Sequence, residues 1–497
     1  MPKLWNATVP SKSFVQMFHI QNGTAWRKLT KMGRLALAAE LPQGGAESRG
    51  PASPTQSRRI NFPYALLLVG AVAVVLGGRM FHILSKYSTN IFNGDEWDFR
   101  TAQFQGASLW RMFTWQHGPP RLGIGFVVDA LLSDLTRWDS RATSLLEGAV
   151  MVAAMCCALW LKHRLFGRIT LSDVVFPLLL FVPVQFLAFV VTPIVAHGPF
   201  PVLLTVLFCL AWTVANIWWR YSLVLVINFL LIYTGFGIFV GFITPLLLGV
   251  ALFRGIGKPR GWLLPGVALI ISLLSLASFF VGYQVGMASG CLVFSPAPLL
   301  RYVWYAALIF ATLFQLNGHS LLPSLVGFAV LLLNLIVCGW SAYRLLRDRG
   351  DVPQNTAIFT FTCLSLLFTV SAAAGRMCRG LDSAHANRYM PYLIPGLTAV
   401  YMSLLLVRRP LLRQVGLAVL VFSLLLGATP LRRSVKGPLV SWHHAKQSWK
   451  ECYLKFEKVD YCDTRMHFKV HPSPAGTHLN EKLQFLKARR LNLYNGD

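Results

Sequence analysis

Three carboxylates fall within four residues in the run Asn93-Gly94-Asp95-Glu96-Trp97-Asp98, immediately after the first long apolar segment of the chain. Such a cluster is costly in an anionic headgroup zone, so it calls for a reason. A carboxylate held there, Asp95, Glu96 or Asp98, can act as a general base or a metal ligand at the mouth of a cavity between helices. Gly94 would supply the turn, and Trp97 would rest at the interface. The competing reading is an acidic interfacial turn without chemistry, since perturbed carboxylates mark functional sites only probabilistically.

Two further polar concentrations bear on that site. Trp110-Arg111 and Trp115-Gln116-His117-Gly118-Pro119-Pro120-Arg121 combine aromatic, imidazole and guanidinium groups in the same connecting segment. Arg121 has the planar fork that recognises phosphate, and His117 can bond a phosphate oxygen or relay a proton. Both residues are also compatible with ordinary interfacial anchoring. The second concentration runs Gly375-Arg376-Met377-Cys378-Arg379-Gly380, then Asp382, His385, Asn387, Arg388 and Tyr389. Three arginines in a short loop placed outside oppose the usual retention of positive charge on the cytoplasmic side. Binding an anionic lipid phosphate or diphosphate accounts for them, and so does pairing with Asp95, Glu96 and Asp98.

The elements that must position these groups follow from composition. A chain of 497 residues that is 55% hydrophobic and 13% charged, with a mean hydropathy of +0.53, has too little polar surface for a soluble globule. Its apolar runs reach the length that crosses a bilayer, and without water to satisfy the backbone they must be helices. The fold class is therefore all-α and polytopic. About eleven crossings are expected, over Phe62–Leu84, Arg141–Leu161, Leu171–Val195, Pro199–Trp218, Ser222–Tyr233, Phe236–Phe253, Trp262–Val281, Leu322–Tyr343, Ala357–Ala374, Pro391–Val407 and Val415–Thr429. The stretch Arg121–Leu135 is half a span in length and carries Asp129 and Asp134, so it reads as interfacial or re-entrant. Leu299–Leu316 is either a twelfth span or another such element.

Residues 1–61 hold nine Lys/Arg against Glu40 and Glu47 and read as a mobile cytoplasmic tail. With that end inside, the groups Lys162/His163/Arg164, Arg254/Lys258/Arg260, Arg344/Arg347/Arg349 and Arg408/Arg409/Arg413 all fall inside. The net charge of +27 is thus a topological signal, and no nucleic-acid partner is expected. Residues 62–430 form the membrane domain and 431–497 a small extracytoplasmic segment. In that segment Cys452 and Cys462 either close a loop or remain thiols. Its end, Leu483–Tyr494, reads as an amphipathic helix lying on membrane or protein. Cys156, Cys157, Cys209, Cys338 and Cys363 sit in apolar runs as small buried thiols. No ligand spacing suggests a structural metal.

This layout resembles the C-type glycosyltransferase superfamily in an uncharacterised bacterial branch. These multi-span enzymes of the cell envelope take a sugar from a polyprenyl-phosphate carrier on the outer face. The acidic opening of the first outside loop (Asp95, Glu96, Asp98), its interfacial helices, and the arginine-bearing loop from Gly375-Arg376 to Asn387-Arg388-Tyr389 carry the resemblance from Phe62 onward. Asn387 departs from the small residue that usually precedes the Arg-Tyr pair. The resemblance implies a membrane transferase in the inner membrane, with a lipid-linked sugar donor and a glycan or lipid acceptor. It also implies catalytic Asp95, with Glu96 or Asp98 positioning it or binding a cation, and Arg376, Arg379 and Arg388 stabilising the departing lipid phosphate; His117, Arg121 and Tyr389 join them as candidate substrate-binding residues. Some members need a divalent cation and others do not. A transporter or flippase is the competing class, for which ionisable residues mid-span or paired broken helices would speak.

Overall fold

The computed structural model describes residues 64–256, 261–285, 299–347 and 352–495. The basic tail, with Lys258, Arg260 and Arg349, lies outside the described residues. Among the described residues the chain is predominantly helical, with no strand beyond the isolated β-bridges Gln116 to Arg121 and Arg121 to Gly235. Seven helical segments are long and apolar enough to cross a membrane: Tyr64–Tyr87, Ser140–Phe166, Leu171–Val191, Ile238–Gly255, Leu321–Arg347, Val352–Arg379 and Pro410–Phe456. Four shorter apolar helices accompany them, at Pro199–Ala211, Ile217–Ile232, Leu263–Phe279 and Leu299–Thr312. The long helices turn a leucine- and valine-rich face outward, including Leu66, Leu67 and Val74 on the first and Leu325, Leu332 and Ile336 on Leu321–Arg347. A surface of that kind is compatible with lipid and not with water.

Three elements show how the bundle is adjusted around the site. Leu171–Val191 is the most enclosed of the seven and is broken at Pro183, where Gln185 Nε2 donates to the Leu180 carbonyl at 2.6 Å and repairs a backbone acceptor freed by the break. Gly123–Leu135, at 13 residues, is about 20 Å long, short of the hydrocarbon thickness, in keeping with an interfacial or re-entrant element. Leu299–Thr312 meets the Leu381–His385 turn from its middle and from its last residue. Tyr305 bonds Ser383 at 3.0 Å and Thr312 bonds His385 at 2.7 Å. Both contacts fall at the end of the bundle that carries the 376–388 turn.

The basic loops gather at the opposite end. Lys162 pairs with buried Asp173 at 2.7 Å, and Tyr401 donates to the same carboxylate. Arg164 donates to the Thr213 carbonyl at 3.1 Å, Gln354 to Leu165 at 3.1 Å, and Arg254 to Leu345. At the other end, the last segment of the chain packs onto the 88–139 connection. Trp449, Tyr453, Leu479, Leu483 and Leu486 form one core with Ile91, Phe92, Trp97, Phe104 and Trp138. The C-terminal helix Leu479–Arg489 thus lies on protein. Cys452 and Cys462 are joined as a disulfide between Arg433–Phe456 and Val459–Met466.

Candidate functional site

The acidic turn folds as it does because of two local constraints. Gly94 takes φ +55°, which a side chain would disfavour, and its N–H donates to the Val470 carbonyl at 2.8 Å. The chain then enters the one-turn helix Glu96–Phe99 with Asp95 at its N-terminus. Successive helical residues are rotated by about 100°, so Asp95 and Asp98 share a face while Glu96 points elsewhere. A second loop brings His117 opposite them. Gly118 at φ +62° turns the chain, and the His117 N–H bonds the Pro120 carbonyl at 3.1 Å.

Asp95 and Asp98 line an open cavity of about 530 Å³ with His117, Arg376, Arg379 and Arg388. Thr101, Trp115 and Gln116 complete its wall. Arg388 Nη1 stands 3.9 Å from Asp95 Oδ2, with both side chains about half exposed (49% and 52%). A pair that open to water contributes at most about 1 kcal/mol, so it yields readily to an anionic ligand. His117 packs edge-on against Phe99, ring centroids 4.2 Å apart, and Phe99 separates it from His197. Burial lowers the pKa of His117 against the pull of Asp95 and Asp98, which keeps the ring neutral and able to accept a proton. Burial drives His197 further, to about 3, beside His117 and Arg388.

The remaining anticipated residues lie elsewhere. Arg121 does not face the cavity: its guanidinium donates to the carbonyls of Phe279 at 2.9 Å and Val281 at 2.7 Å and to that of Thr114, tying the loop to the Leu263–Phe279 helix end. Tyr389 is buried against Phe368, their ring centroids 5.5 Å apart. Glu96 is directed into the protein. Its carboxylate accepts from the Ser140 hydroxyl at 2.9 Å and stands 3.7 Å from Arg100.

Arg100 organises this buried layer beneath the cavity. With its side chain 2% exposed, it pairs with Asp129 at 2.9 Å and donates to Ser133 at 2.7 Å, Gln103 at 3.1 Å and Thr143 at 3.2 Å. It also lies 4.6 Å over the Phe92 ring. Burial raises the Glu96 carboxyl from 4.5 to about 7, with Arg100 and Lys446 opposing. The folded protein therefore holds this proton more tightly than the unfolded chain. Stability from that proton is full below about pH 4.5 and is lost as pH rises through about 7. Glu96→Gln is expected to flatten the decline in melting temperature between pH 5 and 7. Thermal unfolding in detergent across that range checks it, and a slope equal to that of the parent protein contradicts the assignment.

Arg100, His197, His471, Thr477 and Lys482 escape a sequence reading, because nothing local distinguishes them. His471 and Thr477 reach Asp98 across 373 and 379 residues of chain. A partial signal existed for Asp129, a carboxylate in an otherwise apolar stretch. Among the described residues no group of three or more His, Cys, Asp or Glu is placed to hold a metal ion, and both Asp98 oxygens are already engaged, so no step is assigned to a cation. No protein family matches this chain, and neither does any curated protein.

Proposed function

We propose that this protein is a membrane glycosyltransferase of the C type, moving a sugar from a polyprenyl-phosphate donor to an envelope glycan or lipid acceptor. The reading rests on one observation: the acidic turn and the arginine turn, about 290 residues apart, meet in a single open cavity, Asp95 against Arg388. Asp95 takes the proton of an acceptor hydroxyl as that oxygen bonds to the anomeric carbon. The bond from that carbon to the phosphate oxygen breaks, and its electron pair leaves with the lipid phosphate. Arg376, Arg379 and Arg388 face the charge that develops there. Together with neutral His117 the lining carries three cations against two carboxylates, an excess of one positive charge that suits a phosphodiester of charge −1.

In this reading the site end is extracytoplasmic and the basic end cytoplasmic, in the inner membrane of a bacterium, with about eleven crossings. The disulfide at Cys452–Cys462 and the disulfide-bonded Cys378, both on the site side, support an oxidising exposure.

The experiment is a reconstitution in proteoliposomes with polyprenyl-phosphate-linked sugars and an envelope fraction as acceptor. Release of free polyprenyl phosphate is expected, reduced at least tenfold by Arg388→Ala. Passage of the intact lipid-linked sugar across the bilayer, with no phosphate released, would overturn the proposal in favour of a flippase.

A further inference from the structure

Asp98 is not held by the loop that carries it. Both of its oxygens are gripped by the last segment of the chain: His471 Nε2 lies 3.2 Å from Oδ2, and the Thr477 hydroxyl donates to Oδ1 at 2.5 Å. The tautomer of His471 follows from its other nitrogen. Nδ1 accepts the backbone N–H of Ser473 at 3.1 Å, so the proton of the neutral ring sits on Nε2 and points at Asp98. Thr477 is fixed in the same way, because Lys482 Nζ donates to its hydroxyl oxygen at 3.0 Å and leaves the hydroxyl hydrogen for Asp98. Lys482 also donates to the Trp97 carbonyl at 2.7 Å and to Thr101 at 2.9 Å. With Val470 receiving the Gly94 N–H, the clamp touches the acidic turn before, within and after its helix.

From this geometry we infer that the C-terminal segment is a working part of the cavity, with His471 and Thr477 as positioning residues that orient Asp98 and, through Lys482, hold the acidic turn opposite Arg388. The consequence of the clamp is a carboxylate committed to its charged form. Burial raises the pKa of Asp98, and the hydrogen bonds from His471 and Thr477 outweigh that effect and bring it below the ordinary carboxylate range. His471, His117 and Lys482 are the titratable groups that face Asp98. The loop between the two contacts, His471-Pro472-Ser473-Pro474-Ala475-Gly476-Thr477, carries two prolines that limit its freedom. The chemical role of the turn rests on the transferase reading, but the clamp itself does not.

The test uses the full-length protein in detergent with His471→Ala, His471→Gln, Thr477→Ala and Thr477→Ser. Carbodiimide-driven amine labelling of Asp98, followed by mass spectrometry against pH, reads its protonation without any substrate. The labelling midpoint is expected to rise by about one pH unit in His471→Ala and Thr477→Ala. Gln and Ser, which keep a donor at the same place, should return it toward the parent value. A midpoint unmoved in both alanine variants, or His471→Gln behaving as His471→Ala at equal melting temperature, overturns the clamp. In the transfer assay the alanine variants should lower kcat about tenfold with KM for the lipid donor near the parent value. If Asp95→Asn is inactive while the alanine variants keep full kcat, positioning is refuted and the transferase reading stands. If Asp95→Asn is fully active, that reading falls while the labelling result still decides the clamp.

Discussion

Asparagine at position 95 is expected to reduce sugar transfer by about 10²–10⁴-fold, the range over which a positioned general base contributes. The substitution retains the shape and one acceptor oxygen of the side chain and removes only its capacity to take the acceptor's proton. Stability should barely change, because the one ion pair lost, to Arg388, is about half exposed on both sides and contributes no more than about 1 kcal/mol. The measurement is release of polyprenyl phosphate per folded molecule, with melting temperature as the control. Donor binding should be retained, since the three arginines are untouched. Turnover equal to the parent at equal protein level would leave Asp95 without the role assigned to it.

Arg100→Met is expected to act in the opposite way, abolishing folded protein without touching the cavity. Arg100 is the cation to which two buried carboxylates, Glu96 and Asp129, are bound. Removing one partner of a buried ion pair costs about 3–5 kcal/mol, because the partner charge remains in a medium that cannot solvate it. A loss of that size is comparable to the net stability of many domains. Arg100→Lys should rescue little, since an ammonium cannot serve Asp129, Ser133, Gln103 and Thr143 together as the guanidinium fork does. Fluorescence-detected size exclusion in mild detergent provides the readout, and adding Asp129→Asn to Arg100→Met should recover part of the monodisperse peak. A melting temperature for Arg100→Met within about 2 °C of the parent would show that the layer is dispensable.

Asp95, Glu96 and Asp98 illustrate where the limit of sequence reading falls. Their proximity to a membrane surface is visible in the order of residues, and so is the unusual arginine content of the 376–388 turn. Their division of labour is not. One residue of rotation takes Glu96 out of the cavity and into contact with Ser140 and Arg100, while Asp98 returns to the cavity face. Arg121 is the mirror case, a guanidinium with the right chemistry for phosphate whose three nitrogens are engaged by main-chain carbonyls, of Thr114 in its own loop and of Phe279 and Val281 at a distant helix end.

What the amino-acid order determines by itself is the membrane class, the helical character of the spans and the gathering of basic loops at one end. These are properties of short windows, governed by the transfer of apolar groups and the need of each backbone to satisfy itself where there is no water. What only the tertiary structure decides is which charges meet. Asp95 finds Arg388, Asp98 finds His471 and Thr477, and Glu96 and Asp129 find Arg100, through contacts whose partners lie as close as 4 and as far as 379 residues away. Electrostatic pairing depends on distance in space and on the exclusion of solvent, and neither is written in the spacing of residues along the chain.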